Sequence, residues 1–288
     1  MLAAFLTVLF DGVAYGSLLF VISVGMSVTL GLMNFVNLAH GAFAMFGGYL
    51  AIWLMARWGV PFAATLPIVM IAFAVVGVAA ERVLYRRVAR MGPLDQVLFT
   101  IGLAFMATAA MTWRWGSSQQ NVALPPMLTG QVHVLGLGLG AYRLFLVAVV
   151  VAIAFALHFL VGRTRFGAQL RAAVDNRDAA AGLGIPINRL FSVTFALGCA
   201  LAALGGALGI EVLGLDPSFA FKYIVYFLLV VVVGGEGSIL GSAVAAAALG
   251  VFDVVGKYYI PRVGAFLIYA LMVALLLVFP QGLFGRRR

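Results

Sequence analysis

The sequence predicts an all-α, polytopic transmembrane bundle of about eight or nine spans, and three observations carry that reading. Hydrophobic residues make up 65% of the 288 and charged residues 9%, with a mean hydropathy of +1.15, far above the apolar share of a soluble domain. The apolar residues run in stretches near the ~20 residues that cross a bilayer, too many of them for a soluble domain with one anchor. The roughly ten-residue alternation of an outer-membrane barrel is missing, which leaves helices as the way to satisfy a backbone in lipid.

In order, the stretches are 5–31, 40–56, 62–82, 94–114, 142–162, 190–212, 222–234, 240–256 and 263–280. The first has no basic n-region and no small-residue cleavage pattern before it, so it reads as a retained helix rather than a removable signal. The seventh and eighth are short and meet at Gly234-Gly235-Glu236-Gly237-Ser238-Ile239-Leu240-Gly241. Either a tight turn joins two spans there, or one span is followed by a re-entrant piece. No linker or low-complexity tract interrupts the chain, so residues 1–288 are expected to form a single transmembrane domain with an inner loop at about 163–189.

A formal charge of +9 could suggest nucleic acid, but the basic residues flank apolar spans in short clusters instead of forming one basic face. Twelve of the eighteen Lys and Arg fall in three places: Arg82, Arg86, Arg87 and Arg90; Arg163, Arg165, Arg171, Arg177 and Arg189; and Arg286 to Arg288. The positive-inside rule makes these cytoplasmic. The segment Trp115 to Ala141, rich in Pro, Gly and amides, then faces outward and reads as irregular loop. If all nine stretches cross, the N-terminus lies outside and the C-terminus inside; a merged seventh and eighth breaks that parity.

Asn34-Phe35-Val36-Asn37-Leu38-Ala39-His40-Gly41 places two amides and an imidazole inside a nearly uncharged apolar region. Polar groups at membrane depth are costly and mark pathways. Gly31, Gly41, Gly47 and Gly48 let the backbone break or pack closely there, so a broken or re-entrant segment is expected near 34–41. Asn34, Asn37, His40 and Gly41 are the candidate substrate-pathway residues. His40 itself could bind substrate, cap the broken helix or be a satisfied core histidine. Tyr15, Ser17, Ser23, Ser27 and Thr29 could line a face of the preceding helix or serve interhelical packing.

Asp11 and Asp253 each interrupt an apolar stretch. Glu211 and Asp216 fall at the outer end of the sixth span, where Asp216-Pro217 reads as a turn or a docking point. Glu236, between glycines, could cap a helix N-terminus or serve gating. Trp53, Trp58, Trp113 and Trp115 cluster at span ends as interfacial anchors do. Cys199 cannot form an internal disulfide and reads as packing. His133 and His158 lie in separate segments, and no metal set, cofactor motif or catalytic nucleophile with a base is visible.

From Arg163 to Leu190 the loop mixes charges with alanines and ends in Gly182, Gly184 and Pro186. Arg171 to Ala181 predicts a short surface helix with a glycine stop. The loop could be a solvated connector, yet a connector needs no such length, and Asp175 and Asp178 suit a partner surface.

The run Ala172-Ala173-Val174-Asp175-Asn176-Arg177-Asp178-Ala179-Ala180-Ala181-Gly182-Leu183-Gly184-Ile185 resembles the coupling loop of bacterial ABC importer permeases. In detail it is similar to the branched-chain amino acid permease family. Asn37-Leu38-Ala39-His40-Gly41 matches that family's Asn-Phe-Ala-His-Gly, with Leu38 replacing Phe. The glycine turn carrying Gly234, Gly235, Gly237 and Gly241 and the ending Pro280-Gln281-Gly282-Leu283-Phe284-Gly285 are also similar. The resemblance implies a multi-pass inner-membrane permease that translocates branched-chain or other amino acids. It implies a second homologous permease or a copy of the same chain, two ATPase subunits and a periplasmic or extracellular solute-binding protein as partners. Arg171, Asp175, Asp178, Ala180, Gly182, Gly184 and Ile185 would then couple to the ATPase. No phosphate-binding G-x-x-x-x-G-K-[ST] is present, so ATP hydrolysis would reside in partner subunits. A permease for urea or short amides is the alternative within the family. An ATP-independent secondary transporter or channel, using Asp11 or Asp253, is the alternative outside it.

Overall fold

A computed structural model describes residues 2–33, 35, 37–122, 124–134, 136–279 and 282–284. The main helices are α1 (Leu2–Met33), α2 (His40–Trp58), α3 (Phe62–Ala80), α5 (Pro93–Trp115), α6 (Ala141–Arg163), α9 (Ile187–Leu213), α11 (Ile224–Gly234), α12 (Ile239–Tyr259) and α13 (Gly264–Val278). Short pieces join them. A π-turn over Glu81–Tyr85 and α4 (Arg86–Val88) extend α3, α7 (Arg165–Asp175) and α8 (Arg177–Gly182) form the inner loop, and α10 (Phe219–Lys222) precedes α11. The all-α, polytopic expectation fits. Each apolar stretch read from the sequence overlaps one or more of these helices, but only six helices among the described residues are long and apolar enough to cross a membrane. The pieces Phe219–Gly234 and Phe266–Leu275 are shorter.

The seventh and eighth stretches resolve into α11 and α12 joined by a tight turn, in which Gly235 and Gly237 have φ of +91° and +76°. With eleven residues at about 1.5 Å each, α11 is roughly half a span. The outer loop corrects the expectation of an irregular segment. A 3₁₀ turn at Pro126–Leu128 leads into an antiparallel hairpin, β1 (Gln131–Val134) with β2 (Leu137–Gly140), pairing Val132 with Leu139. Gly136, at φ +80°, sits in the hairpin turn, while Gln120 of the amide run forms an isolated bridge with Leu215.

At the centre stands α9, nearly all of it buried, packed by α1, α2 and α3. Its middle, from Leu197 to Ile210, is mostly Gly and Ala, which lets neighbouring backbones approach closely. A Cβ at Gly206 would run into the Ala44 carbonyl of α2. Gly25 of α1 meets Gly198 and Ile22 meets Gly205, so α1 and α9 run antiparallel.

The first two basic clusters share one end of the bundle. Arg86 Nη2 lies 3.3 Å from Ser192 Oγ near the start of α9, and Leu283 N donates to the Val233 carbonyl at 2.7 Å beside the glycine turn. The third cluster, Arg286 to Arg288, lies outside the described residues, as do Pro280, Gln281 and Gly285 of the closing motif.

Candidate functional site

After α1 ends at Met33, the chain doubles back. His40, the first residue of α2, donates Nε2–H to the carbonyl of Ile22 at 2.7 Å. Ile22 lies eleven residues before the end of α1, so α2 starts about 16 Å inside that end, beside the apolar body of α1. His40 is 3% exposed and satisfied by backbone, which is the behaviour of a core histidine fixing a helix start.

Asn37 shapes the break itself. Its Oδ1 accepts from Ala39 N at 3.1 Å, closing an Asx turn, and its own carbonyl accepts from His40 N at 3.1 Å. Among the described residues, the buried Nδ2 has no partner. Asn34 lies outside the described residues. Gly41 faces a second break: a Cβ there would come within 2.6 Å of the Ala220 carbonyl of α10. That break follows α9, where Asp216 Oδ1 accepts from Ser218 N at 2.7 Å and the Asp216 carbonyl from Phe219 N at 3.0 Å. The start of α2 and the short helix α10 therefore meet at Gly41 and Ala220. The start of α2 presents the positive end of its dipole there, as broken helices do around polar solutes.

Sequence reading missed the group that anchors this break to the basic end. Tyr85 OH donates to Asn37 Oδ1 at 3.1 Å, and its ring packs on Phe35, Phe99 and Phe195 with centroids 5.7, 6.3 and 4.5 Å away. Glu81, 1% exposed, receives Arg86 Nε at 3.1 Å, Arg86 Nη2 at 3.2 Å and the Ser192 hydroxyl at 2.5 Å. On a straight α-helix residues five apart diverge by about 140°; the π-turn brings Glu81 and Arg86 together. The only sequence signal was a lone acid at the head of the first basic cluster.

The inner loop forms two helices where one was expected. Thr164 caps α7 by accepting from Gly167 N at 3.2 Å, and Asn176 breaks the run and caps α8 by accepting from Ala179 N at 2.9 Å. Leu170, Ala173, Ala180, Ile187, Leu190 and Phe191 pack with Leu32 at the end of α1. Of the coupling candidates, Ala180 is buried and Ile185 half-buried, whereas Arg171, Asp175, Asp178, Gly182 and Gly184 are exposed. Gly184 ends the loop at φ +81° with open space around it. Arg171 also bonds the Val161 carbonyl and lines a cavity of about 360 Å³ with His158, Glu236 and Phe284.

The glycine turn locks to α1: Gly237 N donates to the Ser27 carbonyl at 3.1 Å, Gly31 abuts Gly237, and Gly234 abuts Gly241. Glu236 does not cap α12. Ser238 does, accepting from Gly241 N at 3.0 Å, while Glu236 stays exposed. Thr29 bonds its own helix, and Ser23 and Ser27 are buried against neighbouring helices. Asp11 pairs with Arg143 and Asp253 with Lys257, so each intramembrane acid has a cation. Among the described residues, no group of three or more His, Cys, Asp or Glu is placed to hold a metal.

Residues 8–276 match the family described as the permease component of branched-chain amino acid transport systems. The chain is 29% identical to the high-affinity branched-chain amino acid transport system permease protein LivH of Escherichia coli (strain K12), covering 98% of this chain and 96% of the relative. It is 28% identical to the corresponding permease protein BraD of Pseudomonas aeruginosa, with the same coverage. These relatives are transport subunits and not enzymes, and with six apolar helices the chain is a multi-pass inner-membrane protein. From one end of the bundle to the other, this chain belongs to the family of branched-chain amino acid transport permeases.

Proposed function

We propose that this chain is the membrane-spanning subunit of an ATP-binding-cassette importer, and that it carries branched-chain or other amino acids past the paired helix breaks at Gly41 and Ala220. The meeting of those breaks beside the apolar body of α1 carries the reading. Helix ends and unwound backbone there supply hydrogen bonds for a zwitterion, and apolar walls meet its side chain. The two relatives' names support the substrate class.

ATPase subunits dock on the exposed strip of α7 and α8 up to Gly184. A partner permease, of the same or a related chain, completes the pore, and a solute-binding protein delivers substrate from outside. Closure of the ATPases pushes on a loop whose buried face holds Leu32 of α1 and Ile187 of α9, so force reaches both helices that lead into the breaks. Coupling requires such an element to have two arrangements that nucleotide state biases. Asp11 and Asp253 each carry a basic partner, Arg143 and Lys257, which an ATP-independent, ion-coupled transporter using either acid would first have to displace.

The test is uptake of radiolabelled L-leucine, L-valine and urea into vesicles holding the co-purified complex and its binding protein. ATP-dependent leucine and valine uptake supports the reading. Urea uptake without amino-acid uptake replaces the substrate, and uptake indifferent to ATP overturns the mechanism.

A further inference from the structure

At the end of the bundle away from the inner loop, α12 carries a part-buried ion pair that the transport path above does not use. Asp253 is 1% exposed, and its Oδ2 lies 2.6 Å from Lys257 Nζ, one turn further on. A lysine in the last turn of a membrane helix ordinarily snorkels outward to water and headgroups. Lys257 instead turns its ammonium back into the bundle, although its side chain is 46% exposed.

Two tyrosine rings face that ammonium. Nζ lies 5.9 Å from the ring centroid of Tyr15 on α1 and 5.8 Å from that of Tyr226 on α11. Tyr223 and Tyr269 extend the wall, with centroids 6.1 and 6.4 Å from Tyr226. Aromatic faces around a carboxylate are the chemistry by which proteins hold ammonium groups. Asp253 Oδ1 is buried and, among the described residues, has no hydrogen-bond partner. An ionised carboxylate accepts on both oxygens, so the cage offers more than Lys257 takes.

We propose that Asp253 with Tyr15, Tyr223, Tyr226 and Tyr269 is a binding site for the primary ammonium group of an amino acid, and that Lys257 is a tethered occupant which the amino acid displaces. The identity of the ligand rests on the importer reading; the ammonium chemistry does not. On displacement, the incoming ammonium pairs with Asp253, and the released Lys257 pairs with the ligand's carboxylate. Two ion pairs replace one, so no charge is left alone in the bundle. The part-exposed lysine has water to move into, whereas the buried carboxylate stays fixed.

The test is equilibrium binding of radiolabelled methylammonium to the purified full chain in lipid nanodiscs. Lys257→Met and Lys257→Gln should each bind it about tenfold more tightly than the unaltered chain, because a tethered competitor lowers apparent affinity by the fraction of time it occupies the site. Adding Asp253→Asn should abolish binding. Lys257→Gln retains a donor for Asp253 and carries the measurement if Lys257→Met fails to accumulate. L-leucine should displace methylammonium and N-acetyl-L-leucine should not. Unchanged binding in both Lys257 variants, binding that survives Asp253→Asn, or no displacement by leucine overturns the proposal. ATP-driven leucine uptake by the whole complex is measured separately: its absence with methylammonium binding intact overturns the importer reading alone, and the converse overturns this site alone.

Discussion

Tyr85 and Asn37, forty-eight residues apart, are joined by a 3.1 Å hydrogen bond that ties the π-turn at the foot of α3 to the break before α2. The same π-turn holds Glu81, which accepts from Ser192 on α9. A continuous run of contacts thus leads from the start of α9, beside the inner loop, to the residue that shapes the break.

Tyr85→Phe removes one donor and leaves the aromatic packing and the Asn37–Ala39 turn in place. It should cost about 0.5–1.5 kcal/mol of stability, and leucine uptake should fall several-fold at normal membrane levels. Asn37→Ala also opens the Asx turn and strands the Tyr85 hydroxyl, so it should cost more, about 1–3 kcal/mol. Thermal unfolding in detergent and vesicle uptake check both, and wild-type uptake by Tyr85→Phe contradicts the link.

Glu81 and Arg86 should behave as a coupled pair. Glu81→Gln leaves Arg86 and Ser192 without their anionic partner and should destabilise by about 1–3 kcal/mol, moderated because the Arg86 side chain is 37% exposed. Combining it with Arg86→Met should cost less than the sum of the two single changes. A double-mutant cycle on unfolding temperature measures this, and additivity contradicts the pairing.

The membrane class, the helices and the break were legible because lipid leaves the sequence few choices: long apolar runs must be helical, and amides inside them must serve something. His40 and Asn37 stood out as polar residues in an apolar run, but their partners, Ile22 and Tyr85, are a backbone carbonyl and a distant phenol that no local pattern reveals. Glu81 hid within a basic cluster, because the geometry that pairs it with Arg86 is a π-turn and not the α spacing a pattern assumes. The outer hairpin was lost for a different reason: Gln131–Val134 alternates valine with polar residues as a strand does, but over four residues alone, and its partner Leu137–Gly140 is half glycine.

Gly41→Ala tests the meeting of the two breaks. The added methyl comes within 2.6 Å of the Ala220 carbonyl, so it should separate α2 from α10, with uptake falling at least tenfold and a loss of about 1–3 kcal/mol. Gly102→Ala meets nothing within 4 Å and is the control; it should leave uptake unchanged. Equal uptake by the two variants removes the close approach from the account.

Gly184→Arg places a bulky side chain at φ +81° on the exposed end of the inner loop. Insertion should be normal, while uptake and stimulation of the ATPase should both be lost. Gly184→Asn, which tolerates the left-handed region, should retain most of both. Normal ATPase stimulation in Gly184→Arg sinks the coupling role of this loop.

The most direct measurement is affinity purification of the chain from gently solubilised native membranes, followed by mass spectrometry and reconstitution of whatever accompanies it. The account predicts two ATPase subunits and a second permease in the complex, with uptake that requires ATP. Recovery of the chain alone, with transport intact in vesicles lacking ATP, would contradict it.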